Sequence, residues 1–151
     1  MGHNNISIFI PHLGCPYACS FCDQKAISGT QKPVTPSEVA EELAAAFSRP
    51  LEPIETEIAF FGGSFTAIDR DYMVELLKTA YSFVVQGRAV GIRISTRPDC
   101  INEEILDILK KHHVKTIEIG FQSLSDDVLT ASKRGHTSRD SYRCAELIKS
   151  Y

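Results

Sequence analysis

The sequence contains no apolar run of the roughly 18 to 20 residues that a membrane-spanning helix needs. Its N-terminus also lacks the basic, then apolar, then small-residue order of a secretory signal peptide. No excess of one charge is large enough to attract nucleic acid over the whole surface, since the net charge is −3. These absences predict a cytoplasmic protein with no membrane partner. The 151 residues, 43% of them hydrophobic, predict one folded domain.

An even, dispersed set of cysteines is also missing, so a secreted disulfide framework is not predicted. Three of the five cysteines, Cys15, Cys19 and Cys22, lie within eight positions that follow an apolar run. Thiolates at this spacing suit zinc or an iron-sulfur cluster. With zinc, His12 is the nearest candidate for a fourth ligand, whereas a 4Fe-4S cluster would keep one iron open. A redox pair of Cys19 and Cys22 is a weaker interpretation, because it leaves Cys15 unexplained.

Four short β-branched or aromatic runs alternate with helical patterns along the chain. We predict strands at 6–10, 57–61, 89–95 and 115–119. Helices are predicted after the capping residues Thr35, Asp69, Asn102 and Ser125, and a last helix from Ser138. Strand–helix units in succession predict an α/β fold with a parallel sheet and right-handed crossovers. Four units resemble the front part of a barrel, and its unpaired edge strands predict dimerisation or aggregation.

Unusual residues follow each predicted strand at its C-terminal end, where parallel α/β proteins collect working residues. The cysteines follow strand one, and the segment 62–66 (Gly-Gly-Ser-Phe-Thr) follows strand two. Ser95-Thr96-Arg97 closes strand three, and Gln122 follows strand four. Because neither Gly62 nor Gly63 has a side chain, a ligand can approach the backbone there. The sequence thus predicts four loops that present polar chemistry at one rim.

The CxxxCxxC spacing of the three cysteines resembles that of the radical S-adenosylmethionine (radical SAM) enzymes. Three further motifs extend the resemblance over essentially the whole chain: 60–66 (FFGGSFT), 94–99 (ISTRPD), and 118–123 (EIGFQS) followed by 133–137 (KRGHT). They look like the branch that contains the catalytic Elongator subunit and the oxygen-independent coproporphyrinogen III oxidases.

This resemblance implies a 4Fe-4S cluster on Cys15, Cys19 and Cys22, with S-adenosylmethionine (SAM) on the open iron and a 5′-deoxyadenosyl radical as the reactive product. By motif position, Gly62, Gly63 and Ser64 are near the methionine amino group. Gln122 is near the ribose, and Arg134 binds the cofactor carboxylate, as a guanidinium can do bidentately. The full set of cofactor-binding residues that the resemblance implies is Gly62, Gly63, Ser64, Thr66, Ser95, Thr96, Gln122 and Arg134. No catalytic residue is assigned.

The family's barrel usually has six strand–helix units, so residues 1–151 resemble the N-terminal portion of a radical SAM core that is incomplete at its C-terminal side, a partial TIM-like barrel. The implied partners are SAM, an electron donor and a substrate, for which the two relatives suggest a tRNA or a tetrapyrrole by analogy. Two other function classes stay open at this point. One is a zinc-binding structural or interaction module that uses the three cysteines and a fourth ligand. The other is an iron-sulfur electron carrier without radical chemistry.

Overall fold

Four parallel strands pair in the order in which they occur in the chain. They are β1 (His3–Ile10), β2 (Glu55–Gly62), β3 (Gly91–Thr96) and β4 (Val114–Ile119). All three strand pairs are parallel, so the predicted parallel α/β sheet is confirmed. β1 and β4 lie at the two edges. Dimerisation through these edges stays a prediction.

The computed structural model describes residues 3–11, 19–20, 32–48 and 55–151. Cys15 and Cys22, two of the three predicted metal ligands, lie outside the described residues, and so does His12. Among the described residues, no helix is both long and apolar enough to span a membrane.

Five α-helices are described: α1 (Pro36–Phe47), α2 (Arg70–Val85), α3 (Glu103–Lys111), α4 (Asp126–Ala131) and α5 (Ser138–Lys149). The predicted caps of the first three are confirmed, because the side chains of Thr35, Asp69 and Asn102 accept backbone N–H groups of the first turn. Such a cap contributes about 1 kcal/mol.

One predicted helix start differs in detail. Ser125 precedes α4 but makes no side-chain capping bond among the described residues; instead the hydroxyl of Ser123 accepts the N–H of Ser125 at 3.0 Å. The last helix, α5, begins at Ser138 as predicted, and Thr137 caps it in a reciprocal pair with Asp140.

One face of the sheet is apolar and packs against the helices. Ile8 and Ile10 of β1 alternate with outward residues, and so do the buried pairs Ile58 and Phe60 of β2 and Ile92 and Ile94 of β3. From the helices, Val39, Leu43, Met73, Leu76, Leu77, Ala80, Ile105, Leu106 and Leu109 complete this core. Because side chains alternate along a strand, the residues between the isoleucines lie on the opposite face. That face is largely polar.

Candidate cofactor-binding site

The ends of β1 and β2 approach each other closely at Gly62. Gly62 has a φ of 121°, which L-residues rarely adopt, and a Cβ built there would lie 2.1 Å from the carbonyl oxygen of Ile10. The N–H of Gly63 donates to the same carbonyl at 3.3 Å. A glycine is therefore required at Gly62, where the backbone turns beside the end of β1, the strand that leads toward the cysteine segment, residues 15–22.

Three hydroxyl groups join the loops after β2 and β3. The hydroxyl of Thr96 lies 2.8 Å from that of Ser64 and 2.6 Å from that of Thr66. Thr66 donates to the carbonyl of Cys100 at 2.7 Å, and Ser64 accepts the N–H of Arg97 at 3.1 Å. Each of the three side chains is at least 92% buried. The hydroxyls that the resemblance implies as cofactor contacts therefore bond to one another, and their contact with a cofactor stays a prediction.

Thr96 is central to this cluster, and Thr96→Val is expected to lower the free energy of unfolding by about 1–3 kcal/mol, because two buried hydroxyls lose a partner. Urea unfolding measures the change. The matched control is Thr79→Val on α2, which removes only a bond to the carbonyl of Glu75 near the surface. An equal loss in the two variants would contradict the central position of Thr96.

Arg134, after α4, joins the cysteine segment to the end of β4. Its Nη1 donates to the sulfur of Cys19 at 3.6 Å, and its Nη2 donates to the carbonyl of Gly120 at 2.7 Å. A Cβ at residue 120 would lie 2.9 Å from Nη2, so the glycine allows this approach. Of the three predicted metal ligands, the described one thus lies beside the residue predicted to bind the SAM carboxylate.

The donors of Arg134 suit an anionic ligand. The side chain is 9% exposed, yet its Nε has no hydrogen-bond partner among the described residues. A buried N–H without a partner is costly, and a carboxylate is the ligand that a guanidinium binds best. The neighbouring sulfur of Cys19 suits metal ligation, because cysteine sulfur is a soft ligand for iron-sulfur clusters. The residues present therefore fit a thiolate-bound cluster and a cofactor with a carboxylate.

A second link ties the cysteine segment to α4. The N–H of Ser20 donates to the carbonyl of Ser132 at 3.2 Å, and the hydroxyl of Ser20 reaches the same oxygen at 3.4 Å. Ser132 follows the last turn of α4 and is two residues before Arg134. The position of Cys19 is thus coupled through the backbone to the segment that carries the guanidinium.

The loop after β4 is held in an unusual conformation. Gln122, the predicted ribose contact, has a φ of 64° in the left-handed region and is exposed. The ring of His136 donates from Nε2 to the carbonyl of Phe121 at 3.2 Å. Burial, and then the charges of Arg97 and Arg134, lower the pKa of His136, so the ring is neutral near pH 7. His136 therefore acts as a fixed donor that positions the residue before Gln122.

Sequence reasoning assigned no role to His136 or to the ion pair of Arg97 and Asp99. The guanidinium of Arg97 is 3% exposed and binds both carboxylate oxygens of Asp99, each at 2.9 Å. The Arg97–Asp99 pair and His136 belong to two of the motifs identified in the sequence, Thr-Arg-Pro-Asp and Lys-Arg-Gly-His-Thr respectively. The contact of Arg97 with Asp99 is local, within the loop after β3, whereas the contact of His136 with Phe121 spans 15 residues of the chain and has no local signal.

Ser95 lies apart from the buried hydroxyl cluster. Its side chain is on the polar face of the sheet, where its hydroxyl donates to Glu118 of β4 at 3.0 Å. The predicted cofactor-binding residues thus form two groups. The first group lies at or under the rim of the sheet: Gly62, Gly63, Ser64, Thr66, Thr96, Gln122 and Arg134. The second group is Ser95 alone, whose side chain lies just below the rim on the polar face.

The described structure is thus a parallel α/β sheet that carries a cysteine, a guanidinium and a glycine pair at one rim. The sequence profile of the radical SAM superfamily matches residues 9–151, so this chain belongs to the radical SAM superfamily.

Relatives with known names support the same branch. The chain is 26% identical over 110 residues to a tRNA uridine(34) acetyltransferase of Methanocaldococcus jannaschii, a match that covers 62% of the chain and 20% of the relative. It is 34% identical over 103 residues to Elongator complex protein 3 of Danio rerio, covering 56% of the chain and 19% of the relative. The chain therefore spans about a fifth of the length of these relatives.

Two solved structures share the fold. The structure of Methanocaldococcus infernus Elp3 with an N-terminal deletion gives a TM-score of 0.63 at 17% identity, over 95% of this chain and 34% of that one. The radical SAM methyltransferase TsrM of Kitasatospora setae also gives 0.63 at 17% identity, over 99% of this chain and 28% of that one. These likenesses confirm the predicted radical SAM TIM-like barrel fold, of which four strands are described here.

Proposed function

We propose that this chain is the part of a radical SAM enzyme that holds a 4Fe-4S cluster on Cys15, Cys19 and Cys22 and binds SAM at the open iron. One observation carries the proposal: the guanidinium of Arg134 contacts the sulfur of Cys19 and still has a buried N–H that no described residue accepts. Membership of the superfamily supports both the cluster and the cofactor. The N-terminal core position of residues 1–151 is part of the same proposal.

The chain's own residues have distinct tasks in this proposal. Arg134 binds and orients the carboxylate of SAM, while Gly62 and Gly63 let the cofactor approach the backbone beside β1. Ser64, Thr66 and Thr96 fix the spacing of the loops after β2 and β3, and Ser95 adds a hydroxyl just below the rim. Cys15, Cys19 and Cys22 would hold the cluster and Arg134 would orient SAM, and the pair would supply one-electron cleavage of SAM to methionine and a 5′-deoxyadenosyl radical for hydrogen-atom abstraction from the substrate.

For the substrate we propose a tRNA, since relatives over much of this chain are named as tRNA uridine(34) acetyltransferases. The tetrapyrrole suggested by the second family branch has no such support among these relatives. An electron donor and a cytoplasmic location complete the proposal. The reaction type, oxidoreductase or transferase, depends on the substrate step.

Anaerobic reconstitution of the full-length protein with iron and sulfide tests the cluster. We expect about four irons per chain and visible charge-transfer absorption, and a spectral change when SAM is added. Cys19→Ser should abolish the absorption, whereas the matched control Cys144→Ser should not, because Cys144 is a buried residue of α5. A colourless protein that holds one zinc, lost in Cys19→Ser, would favour the zinc module. A cluster whose spectrum ignores SAM would favour the electron carrier.

A further inference from the structure

An anchored ion network crosses three strands on the face of the sheet opposite the helices. Arg93 of β3 donates from Nε to Glu57 of β2 at 2.9 Å and from Nη1 to Glu118 of β4 at 2.8 Å. Thr116 donates to the second oxygen of Glu57 at 2.8 Å. The Glu57 side chain is 5% exposed, so it serves as a buried anchor for Arg93. The pKa of Arg93 is raised, first by its bond to Glu118, and its charge is permanent.

Glu118 is the exposed end of this network. Its side chain is 46% exposed, yet one of its oxygens accepts from Arg93 and the other from Ser95 at 3.0 Å. Two donors from β3 thus fix the orientation of a carboxylate that remains open to solvent. A carboxylate oxygen has two lone pairs, so each oxygen retains capacity to accept a further bond. Such a group is preorganised to accept a hydrogen bond from a ligand.

Aromatic rings occupy the same level of the sheet on β1 and β2. Phe9 pairs in register with Phe61, and Ser95 pairs with Glu118. Phe60 of β2 pairs with Ile94 of β3, and Phe61 and Ser95 are the next residues of these strands. One layer of side chains therefore contains Phe9, Phe61, Ser95 and Glu118. Phe9 is 41% exposed and packs outside the core.

One layer further from the rim, the side chains of β1 and β2 are small, because Ser7 pairs with Ala59 there. On the other side of the aromatic and carboxylate layer, the rim is formed by the last residue of each strand: Ile10, Gly62, Thr96 and Ile119. The aromatic and carboxylate layer therefore lies directly below the candidate cofactor site.

We propose that this layer is the substrate chamber and takes one unstacked nucleoside of an RNA strand, with its base against Phe9 and Phe61 and its ribose 2′-hydroxyl donating to Glu118. The inference rests on the proposed function, whose substrate it narrows to a single nucleoside. Bases stack on aromatic side chains whatever their identity. A carboxylate repels the phosphate backbone, so the chamber favours a nucleoside that leaves its phosphates outside.

The ribose is a better partner for Glu118 than the base edge of a uridine. The only donor on that edge is the N3–H, which lies between two carbonyl oxygens that repel a carboxylate. The ribose 2′-hydroxyl does not lie between two carbonyl oxygens. It is also the group by which proteins distinguish RNA from DNA.

The test measures anaerobic binding of a fluorescent RNA hairpin with one unpaired loop uridine to the full-length protein. Two further probes carry 2′-deoxyuridine or 3-methyluridine at the same position. For the unchanged protein we expect 2′-deoxyuridine to weaken binding about tenfold, the loss of one charge-assisted bond. We expect 3-methyluridine to bind within about twofold of uridine.

Glu118→Ala should reduce the 2′-deoxy penalty to about twofold or less, and Phe9→Leu should weaken all three probes by about tenfold. Glu41→Gln, on the exposed side of α1, is the matched control and should retain the full pattern. Arg93 keeps its bond to Glu57 in Glu118→Ala, so this variant should fold; circular dichroism checks it. Ser95→Ala, a milder change, should lower the penalty partway.

The ribose contact is overturned if 2′-deoxyuridine weakens binding to Glu118→Ala as much as to the protein without substitutions. It is also overturned if 2′-deoxyuridine does not weaken binding to the protein without substitutions. If 3-methyluridine weakens binding to the unchanged protein and Glu118→Ala removes that effect, Glu118 binds the base edge. That result also overturns the ribose contact. Full affinity in Phe9→Leu overturns the stacking. The RNA measurements need no SAM, whereas the proposed function is tested by the spectral response to SAM without RNA, so the two can fail separately.

Discussion

Arg134→Lys is expected to lower the affinity of the cluster-loaded, full-length protein for SAM by about 100-fold. The guanidinium is buried, contacts the sulfur of Cys19 and the carbonyl of Gly120, and keeps one N–H without a partner in the part of the chain that the structure describes. A lysine has a single point of donation and cannot hold the sulfur, the carbonyl and a carboxylate together. Equilibrium binding of SAM under anaerobic conditions measures the effect, and loss of one or two charge-assisted bonds gives its size.

The matched control is Arg139→Lys, at an exposed position of α5 near the same segment. It should leave SAM affinity within about twofold, since an exposed arginine contributes little. Iron content must be equal in both variants, so that weaker SAM binding is not a consequence of a lost cluster. Unchanged affinity in Arg134→Lys at full iron content would show that another residue binds the carboxylate.

Gly62→Ala is expected to lower the free energy of unfolding by about 4 kcal/mol or more. The backbone at Gly62 has a φ of 121°, and an added Cβ would meet the carbonyl oxygen of Ile10 at 2.1 Å. The cost therefore combines backbone strain of about 1–3 kcal/mol with a collision between two main chains that pair along eight residues. Urea denaturation followed by circular dichroism measures the change.

Gly87→Ala is the matched control, because Gly87 also has a positive φ, 72°, but no atom of the described residues lies within 4 Å of an added Cβ. It should cost only about 1 kcal/mol, the strain of the left-handed conformation. If both variants lost the same stability, the close approach of β1 and β2 would contribute nothing. Iron incorporation should fall in Gly62→Ala alone, since β1 leads into the cysteine segment.

The four strands and the first three helix caps could be predicted from local pattern, because compact apolar runs and capping residues act over a few positions. The strand ends could not. β1 begins at His3 and β2 at Glu55, each ahead of its predicted start, because polar residues there are paired with the neighbouring strand. Glu57 is 4% exposed for a similar reason: its partners come from β3 and β4.

At the candidate site the sequence indicated which loops meet, but not what their side chains do. The rule that working residues follow parallel strands predicted the rim, and the motifs singled out Arg134. The mutual bonds of Ser64, Thr66 and Thr96 could not be predicted, because three hydroxyls in two loops are equally suited to a ligand. Contacts between loops depend on the twist and stagger of the sheet, which local sequence does not encode.

The strand order has a consequence for synthesis on the ribosome. Each strand pairs with the one made immediately before it, β2 with β1, β3 with β2 and β4 with β3. No pairing among these strands has to wait for a distant part of the chain, and N-terminal segments fold first as they emerge. The sheet can therefore grow by addition at one edge. The longest delay is the first, because residues 11–54, with all three clustered cysteines, must be made before β1 meets its partner.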